Sequence, residues 1–236
     1  MPFASEAIIR NPNRLAILRN LLLLDSAPEV AFDRLTRLTT WIIGAPVSLV
    51  SLIDADRQFF KSAVGLPEPW ASERQTPLSH SFCQHVVATG EPLIIDDARN
   101  HPLVYDNLAI PDLNVIGYLG MPLVTSQGAK LGSFCVIDGK PRVWQPHEIE
   151  IMRELAQFVI TEIELRGELI ARQQMEAQLR TVNTQIAEAN RQLRRVTEYS
   201  RATLDQTIET VQRGASRDEI LVYLHSAQRG LMGKEM

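Results

Sequence analysis

Cysteine is scarce in this sequence: Cys83 and Cys135 are the only two in 236 residues, and they lie far apart. They give no disulfide framework, and the N-terminal MPFASEAIIRNP has neither a basic n-region nor an apolar h-region, so nothing supports secretion. Long hydrophobic runs are missing too. Leu21 to Leu24 and Trp41 to Ile43 fall far short of the roughly 20 residues that cross a bilayer. Nor does one sign of charge dominate: 24 Lys and Arg stand against 28 Asp and Glu, a formal net charge of -4, which leaves no basic excess to hold phosphates or anionic lipid. The expected protein is reduced and cytoplasmic, with no nucleic-acid partner and no membrane insertion.

Catalytic signatures fail in the same way. His147-Glu148 opens like a zinc-protease helix motif, yet Ile151 stands where its second histidine belongs. Gly139-Lys140 lacks the preceding spaced glycine of a phosphate loop and runs into Pro141. Asp54 with Asp56, and Asp96-Asp97, fall in predicted turns, where Asp serves local backbone hydrogen bonds. No catalytic set, metal set or cofactor is assigned.

What is present is a core-forming chain, 45% hydrophobic and long enough for one domain with an extension. From Asn13 to Leu24, Leu15, Leu18 and Leu22 mark one face of a predicted helix, while Ile17, Leu21 and Leu24 mark another. Ser26 with Glu29 resembles a capping box before a second helix through Val30, Phe32, Leu35, Leu38 and Ile42, which stops at Gly44. PVSLVSLI and Gln58 to Val64 form a predicted β-hairpin about Asp54-Ala55-Asp56. After a proline-rich loop, Ser79 or Ser81 caps a short helix ending at Gly90, and a short strand reaches Ile95.

Asp96 to Val115 reads as a long irregular loop, the first place to look for a ligand. Strand-like Gly117 to Val124 and Lys130 to Ile137 flank the turn Ser126-Gln127-Gly128. Pro146 opens a helix with apolar residues around much of its circumference. From Arg166 to Gly214 there is no proline, and Val182, Ile186, Ala189, Leu193 and Val196 recur in alternating steps of four and three, a coiled-coil seam. Val196, Ser200, Leu204 and Ile208 then step by four before Val211, which reads as a stutter. Ser216 with Glu219 can cap a short last helix before a Gly-containing tail.

Several residues carry chemistry worth weighing. In SHSFCQH a helix would put His80 and Cys83 on one face within some reach of a metal, against the plainer reading of a buried thiol and surface histidines. Alternation along GSFCVID puts Ser133 and Cys135 on one face of a strand and Phe134 and Val136 on the other. Cys83 and Cys135 are read as two inert thiols unless the fold brings them close, in which case a redox pair is the alternative. Tyr105, Tyr118, Phe59, Phe60 and Phe82 offer aromatic surface for a cavity or for plain core.

The stretches LLLLDSAPEVAFDRLTRLTTWIIGAPVSLVSLID, PLSHSFCQHVVATGEPLIIDDARNHPLV, GYLGMPLVTSQGAKLGSFCVIDGKPRVW and ELAQFVITEIELR resemble the GAF domain of bacterial signalling proteins from Leu21 to about Arg166. The resemblance implies an α+β fold, a GAF-like central antiparallel sheet flanked by helices with a pocket under loops on one face, followed here by a long C-terminal coiled-coil helix. It also implies a sensor, often a homodimer, regulating a histidine kinase, diguanylate cyclase or phosphatase. Two branches fit poorly: Asp96 to Tyr118 holds no cysteine for bilin attachment, and the Asn-Lys-Phe-Asp-Glu pattern of cyclic-nucleotide binders is absent.

The resulting expectation has an N-terminal segment at 1–14, a sensory domain at 15–165, a signalling coiled coil at 166–213, and a short helix and tail at 214–236. The candidate ligand-lining set is Phe82, Cys83, Val86, Tyr105, Leu108, Leu113, Tyr118, Ser133 and Cys135. The candidate face of a parallel homodimer is Leu18, Leu22, Met152, Leu155, Val159, Val182, Ile186, Leu193 and Val196. An unidentified small-molecule ligand and a downstream signalling enzyme are the expected partners. Alternatives are a ligand-free dimerisation module, or a thiol-dependent enzyme like the GAF-type free-methionine-sulfoxide reductases, for which only Cys83 and Cys135 could serve.

Overall fold

The computed structural model describes residues 3–232, so the end of the expected tail lies outside the described residues. The chain divides into two compact units, Met1–Ala171 and Arg172–Met236. In the first, α1 (Phe3–Ile9), α2 (Pro12–Asn20) and α3 (Val30–Ile43) precede the predicted hairpin of β1 (Val47–Ile53) and β2 (Arg57–Val64). Its turn closes because the Asp54 N–H donates to Arg57 O at 2.9 Å while the Asp54 carboxylate accepts from the Ala55 N–H at 2.8 Å. That is the local use of aspartate the turn reading predicts.

Within the proline-rich loop the structure adds α4 (Trp70–Glu73) and β3 (Gln75–Pro77), pieces too short to carry a periodic pattern. Then come α5 (Cys83–Thr89), β4 (Leu93–Ile95), α6 (Ala109–Leu113), β5 (Gly117–Val124), β6 (Lys130–Asp138) and α7 (Pro146–Gln212). The strands make one antiparallel sheet in the order β3-β2-β1-β6-β5-β4. Each face of the sheet is covered. On one, α2, α3 and the start of α7 bury Leu18, Phe32, Val50, Leu52, Leu119, Phe134, Val136, Met152 and Val159. On the other, α1, α5 and the 96–115 segment bury Ile9, Leu49, Ile53, Phe82, Val86, Val104 and Val115.

The helix expected over Asn13 to Leu24 ends at Asn20, since Leu22 and Asp25 take left-handed φ values of 51 and 57. Its start is fixed by Pro12 in the first turn and by the Asn11 side chain, which accepts from the Asn13 and Arg14 N–H groups. Within the expected N-terminal segment, Ile9 enters the core, and the buried Arg14 guanidinium donates to Ile53 O at 2.7 Å. The second helix ends as predicted, with Gly44 at φ 70 donating its N–H to Thr40 O. Its capping box does not form. Glu29 makes no side-chain cap, and the Ser26 hydroxyl donates to Leu23 O at 2.7 Å.

The reason is a buried cation. Lys61, 0% exposed, donates to Ser26 Oγ at 2.6 Å, to Ala27 O at 2.8 Å and to the Glu29 carboxylate. Glu29 accepts from Arg166 on α7 as well. Burial pulls the Lys61 ammonium below the usual lysine value, and Glu29 pulls it back up. The carboxylate that would have capped α3 is held as a counter-ion instead.

The second unit contains the rest of α7 and α8 (Arg217–Met232), separated by Gly214 at φ 80. Here a capping box does form: the Ser216 N–H and hydroxyl both donate to Glu219 Oε2 at 2.9 Å. The chain doubles back, because the Tyr199 hydroxyl donates to Ala227 O at 3.3 Å. Val182, Ile186, Leu193 and Val196 are exposed along α7. Among the described residues no helix is long and apolar enough to cross a membrane.

The Glu29→Ala variant strands the Lys61 charge with two neutral acceptors, so urea unfolding is expected to show a loss of about 3 kcal/mol. Lys61→Met, which removes the charge together with its need for a partner, is expected to come within about 1 kcal/mol of the parent protein.

Candidate functional site

The covering of the second sheet face is where chemistry gathers. In β6 the alternation holds: Ser133, Cys135 and Ile137 face α5, while Phe134 and Val136 face α7. Cys135 lies opposite Leu49 of β1 and Gly120 of β5. Helix α5 turns Cys83, Val86 and Val87 inward, at helical spacing, and ends at Gly90 with φ 78. From β5, Tyr118 stands on the same side of the sheet and its ring leans across Gly120.

These elements meet at two sulfurs. Cys83 Sγ and Cys135 Sγ are 3.9 Å apart, the Tyr118 hydroxyl donates to Cys83 Sγ at 3.3 Å, and it lies 3.2 Å from Ser133 Oγ. Phe82 stacks at a tilt on Tyr118 with ring centroids 5.4 Å apart. Ser51 of β1, on the same face, has a buried hydroxyl that lies near Cys83 without a hydrogen bond of ordinary geometry.

Burial pushes the Cys83 thiol up, but hydrogen bonding from Cys135 first, then from Tyr118, Ser51 and Ser133, more than offsets this and brings it to about 7. Cys135 and Tyr118 move the other way: burial raises both well above their ordinary values, and the neighbouring Cys83 charge raises them further. The geometry agrees in one respect: the Tyr118 hydroxyl donates to Cys83 Sγ, which favours the charged form at that sulfur.

The 96–115 segment is more ordered than an irregular loop. It contains a 3-10 turn at Ala98–Asn100 and α6, and it is tied to residues 79–81 at three points. His80 Nε2 lies 2.9 Å from Asp112 Oδ2, the Leu108 N–H donates to Ser79 O at 3.2 Å, and the Asn107 amide donates to Ser81 O at 3.3 Å. The Asp97 carboxylate accepts from the Arg99 backbone and guanidinium, a local turn device.

Of the expected ligand-lining residues, Phe82, Cys83, Val86, Tyr118, Ser133 and Cys135 come together in the buried cluster, and Leu113 packs against it partly buried. Tyr105 and Leu108 do not. Tyr105 is 63% exposed and Leu108 is largely exposed, because the turns of the 96–115 segment spend their inward positions on Val104 and Ala109. His80 and Cys83 do not converge either: His80 is engaged by Ser79 and Asp112, and Cys83 by Tyr118 and Cys135. Among the described residues no cluster of three His, Cys, Asp or Glu could hold a metal. His147-Glu148 serves the start of α7, where Glu148 accepts from the Gln145 N–H at 2.8 Å and pairs with Arg142.

The expected dimer face divides. Leu18, Met152, Leu155 and Val159 are core residues turned toward the sheet, so they are not available to a partner. The apolar surface of the first unit lies elsewhere, at Leu22, Leu38, Trp41, Ile42, Phe158 and Leu165, with Trp41 76% exposed. Arg34, Leu38, Trp41, Phe158 and Glu162 line an open groove there of about 550 Å³, on the opposite side of the sheet from the thiols. Sequence reasoning missed Gly120, Ser51 and the His80–Asp112 tie. Only the first left a trace, a glycine inside a strand, which signals close approach of another group.

A profile of the GAF domain matches residues 27–163. The chain is 30% identical over 153 residues to a cyclic di-GMP phosphodiesterase of Pseudomonas aeruginosa, a match covering 64% of this chain and 25% of that protein. It thus spans about a quarter of that relative's length. Among solved structures, a domain assigned to a two-component sensor histidine kinase of Sinorhizobium meliloti superposes with a TM-score of 0.50 at 19% identity, covering 63% of this chain and 99% of that one. A free methionine-R-sulfoxide reductase of Neisseria meningitidis gives a TM-score of 0.47 at 19% identity, covering 66% and 89%. At such an identity the first of these two likenesses is one of fold alone.

A Cβ on Gly120 would sit 2.3 Å from the Tyr118 hydroxyl oxygen and 2.7 Å from two ring carbons. Gly120→Ala is expected to displace that buried ring and lower stability by about 2 kcal/mol in urea unfolding. In a Tyr118→Phe background, where the nearest atom is gone, the same substitution is expected to cost measurably less; equal costs would place the strain elsewhere.

Proposed function

Because the chain belongs to the GAF domain family, matched over residues 27–163, we propose that it is a sensory module of a signalling system, binding a small molecule on the α5 side of its sheet. The response passes through the sheet to α7 and along a dimeric coiled coil to a downstream output. The observation that carries this reading is β6, whose residues alternate between the thiol cluster and the core under α7. A ligand that repacks Cys135 or Ser133 necessarily disturbs Phe134 and Val136, which touch the helix side. Such a ligand works only by favouring one of two arrangements already close in free energy.

The phosphodiesterase activity belongs to the relative. What we carry over from it is the setting, cyclic di-GMP turnover, in which we propose a regulatory rather than a catalytic part for this GAF domain. For the dimer we propose the exposed stripe of Trp41, Ile42 and Phe158 together with the seam Val182, Ile186, Leu193 and Val196. The pairing would be parallel, as a two-stranded seam of equivalent residues favours.

A second reading is a dimerising module whose site is filled by its own side chains, supported by the complete burial of Tyr118, Cys135 and Val86. The two readings part on one measurement. A thermal-shift screen of metabolites on the full chain is expected to find a stabilising compound, whose binding also changes the spacing of spin labels on α7. A dimer that no compound stabilises supports the self-filled module. Light scattering is expected to show a dimer that Trp41→Glu with Phe158→Glu weakens at little cost to folding, since both side chains are exposed. A monomeric parent chain would remove the dimer from the proposal.

A further inference from the structure

We propose that Cys83 and Cys135 are a reversible redox pair, closing to a disulfide within the domain when a hydroperoxide reaches the α5 side of the sheet. The two sulfurs come from different elements, the first turn of α5 and the middle of β6, and nothing in their sequence spacing requires them to meet. They meet at 3.9 Å. A disulfide needs a separation of about 2.05 Å, so the sulfurs must approach by roughly 2 Å, a shift within reach of side-chain rotation and a small movement of α5.

Free thiols buried in apolar surroundings are ordinarily inert. This pair is not in purely apolar surroundings. The hydroxyls of Tyr118 and Ser133 converge on it, and the buried Ser51 hydroxyl of β1 lies beside Cys83. The Tyr118 hydroxyl donates to Cys83 Sγ, so the donors favour a thiolate at Cys83, whose thiol is lowered to about 7, while burial pushes the Cys135 thiol up. One sulfur is thus prepared as nucleophile and its neighbour as the resolving thiol. Both are almost fully covered, Cys83 at 2% and Cys135 at 0%, so the oxidant has to be small and to enter as the 96–115 segment loosens from Ser79, His80 and Ser81.

The chemistry balances with hydrogen peroxide as oxidant. The Cys83 thiolate attacks one peroxide oxygen, the O–O bond breaks, and the departing hydroxide takes up the proton released by Cys83 to leave as water. Cys135 sulfur then attacks the Cys83 sulfenic sulfur. The S–O bond breaks, the hydroxyl leaves as a second water with the Cys135 proton, and the S–S bond forms. Two thiols lose two electrons and two protons, and one peroxide is reduced to two waters. The bond ties α5 to the central strand of the sheet, and a dithiol reductant reverses it.

The inference needs only the fold and stands apart from the sensory reading, whose ligand and dimer tests are independent of thiol chemistry. Its test is to treat the folded, reduced full chain with stoichiometric hydrogen peroxide, alkylate the remaining thiols in denaturant, and map the peptides by mass. Both thiols are expected to disappear together into one intrachain Cys83–Cys135 link that dithiothreitol reopens. Cys135→Ser is expected to stop at a dimedone-reactive sulfenic acid on Cys83, and Cys83→Ser to leave Cys135 unreacted. Tyr118→Phe is expected to slow closure on the order of tenfold. Two thiols that survive this treatment in the folded parent chain, a link between chains, or separate oxidation of each sulfur would overturn the proposal. The parent-chain result decides it even where a serine variant fails to fold.

Discussion

The position of β6 constrains everything else in the first unit. It pairs with β1 on one edge and β5 on the other, and from Leu131 to Asp138 every residue is buried. A strand covered on both faces has no solvent side, so its alternation divides two cores rather than inside from outside. Beyond the irregularity at Leu131, Ser133, Cys135 and Ile137 belong to one core, and Phe134 and Val136 to the other. Packing in either core is dense enough that a change on one face is felt on the other. That physical continuity is the route from site to helix that the proposed sensory role requires.

The route ends on α7, and a second constraint fixes where α7 lies. Lys61 of β2 is buried, a buried ammonium needs a counter-ion, and Glu29 meets that need while also holding Arg166 of α7. One carboxylate therefore joins the sheet, the entry to α3 and α7. Arg142 performs a similar service at the other end, pairing Asp138 at the close of β6 with Glu148 in the first turn of α7 while stacking on Trp144. Between the two, Met152, Leu155, Val159 and Ile163 fill the seam against the sheet by apolar burial.

The polar cluster around Cys83 is the unusual part of the interior. Hydroxyls gathered about two thiols forgo hydration that apolar side chains of the same size would not miss, and Ser51 makes no hydrogen bond of ordinary geometry. Arrangements that depart from the rule that buried polar groups are satisfied are most often found at functional sites. Here the departure coincides with the side of the sheet where the family's pocket is expected. The proposals for ligand and for oxidant both draw on that coincidence, from different observations.

By itself the sequence determined the elements and their faces. Period-two alternation in PVSLVSLI and GSFCVID, the stop at Gly44, the turn at Asp54 and the long proline-free helix were all legible, because each is fixed by local sterics and by which side chains avoid water. The wide apolar stripes near Leu18 and Met152 were legible as stripes, but not which edge of each would meet the sheet and which would remain for a partner. Only tertiary structure decided that, since it depends on the angle at which each helix settles on the sheet. It alone assigned Glu29 to Lys61 instead of to a helix cap, turned Tyr105 and Leu108 outward, and brought Cys83 to Cys135. Such outcomes are settled by groups far apart in the chain competing for the same buried space and the same hydrogen bonds, a competition that no local pattern records.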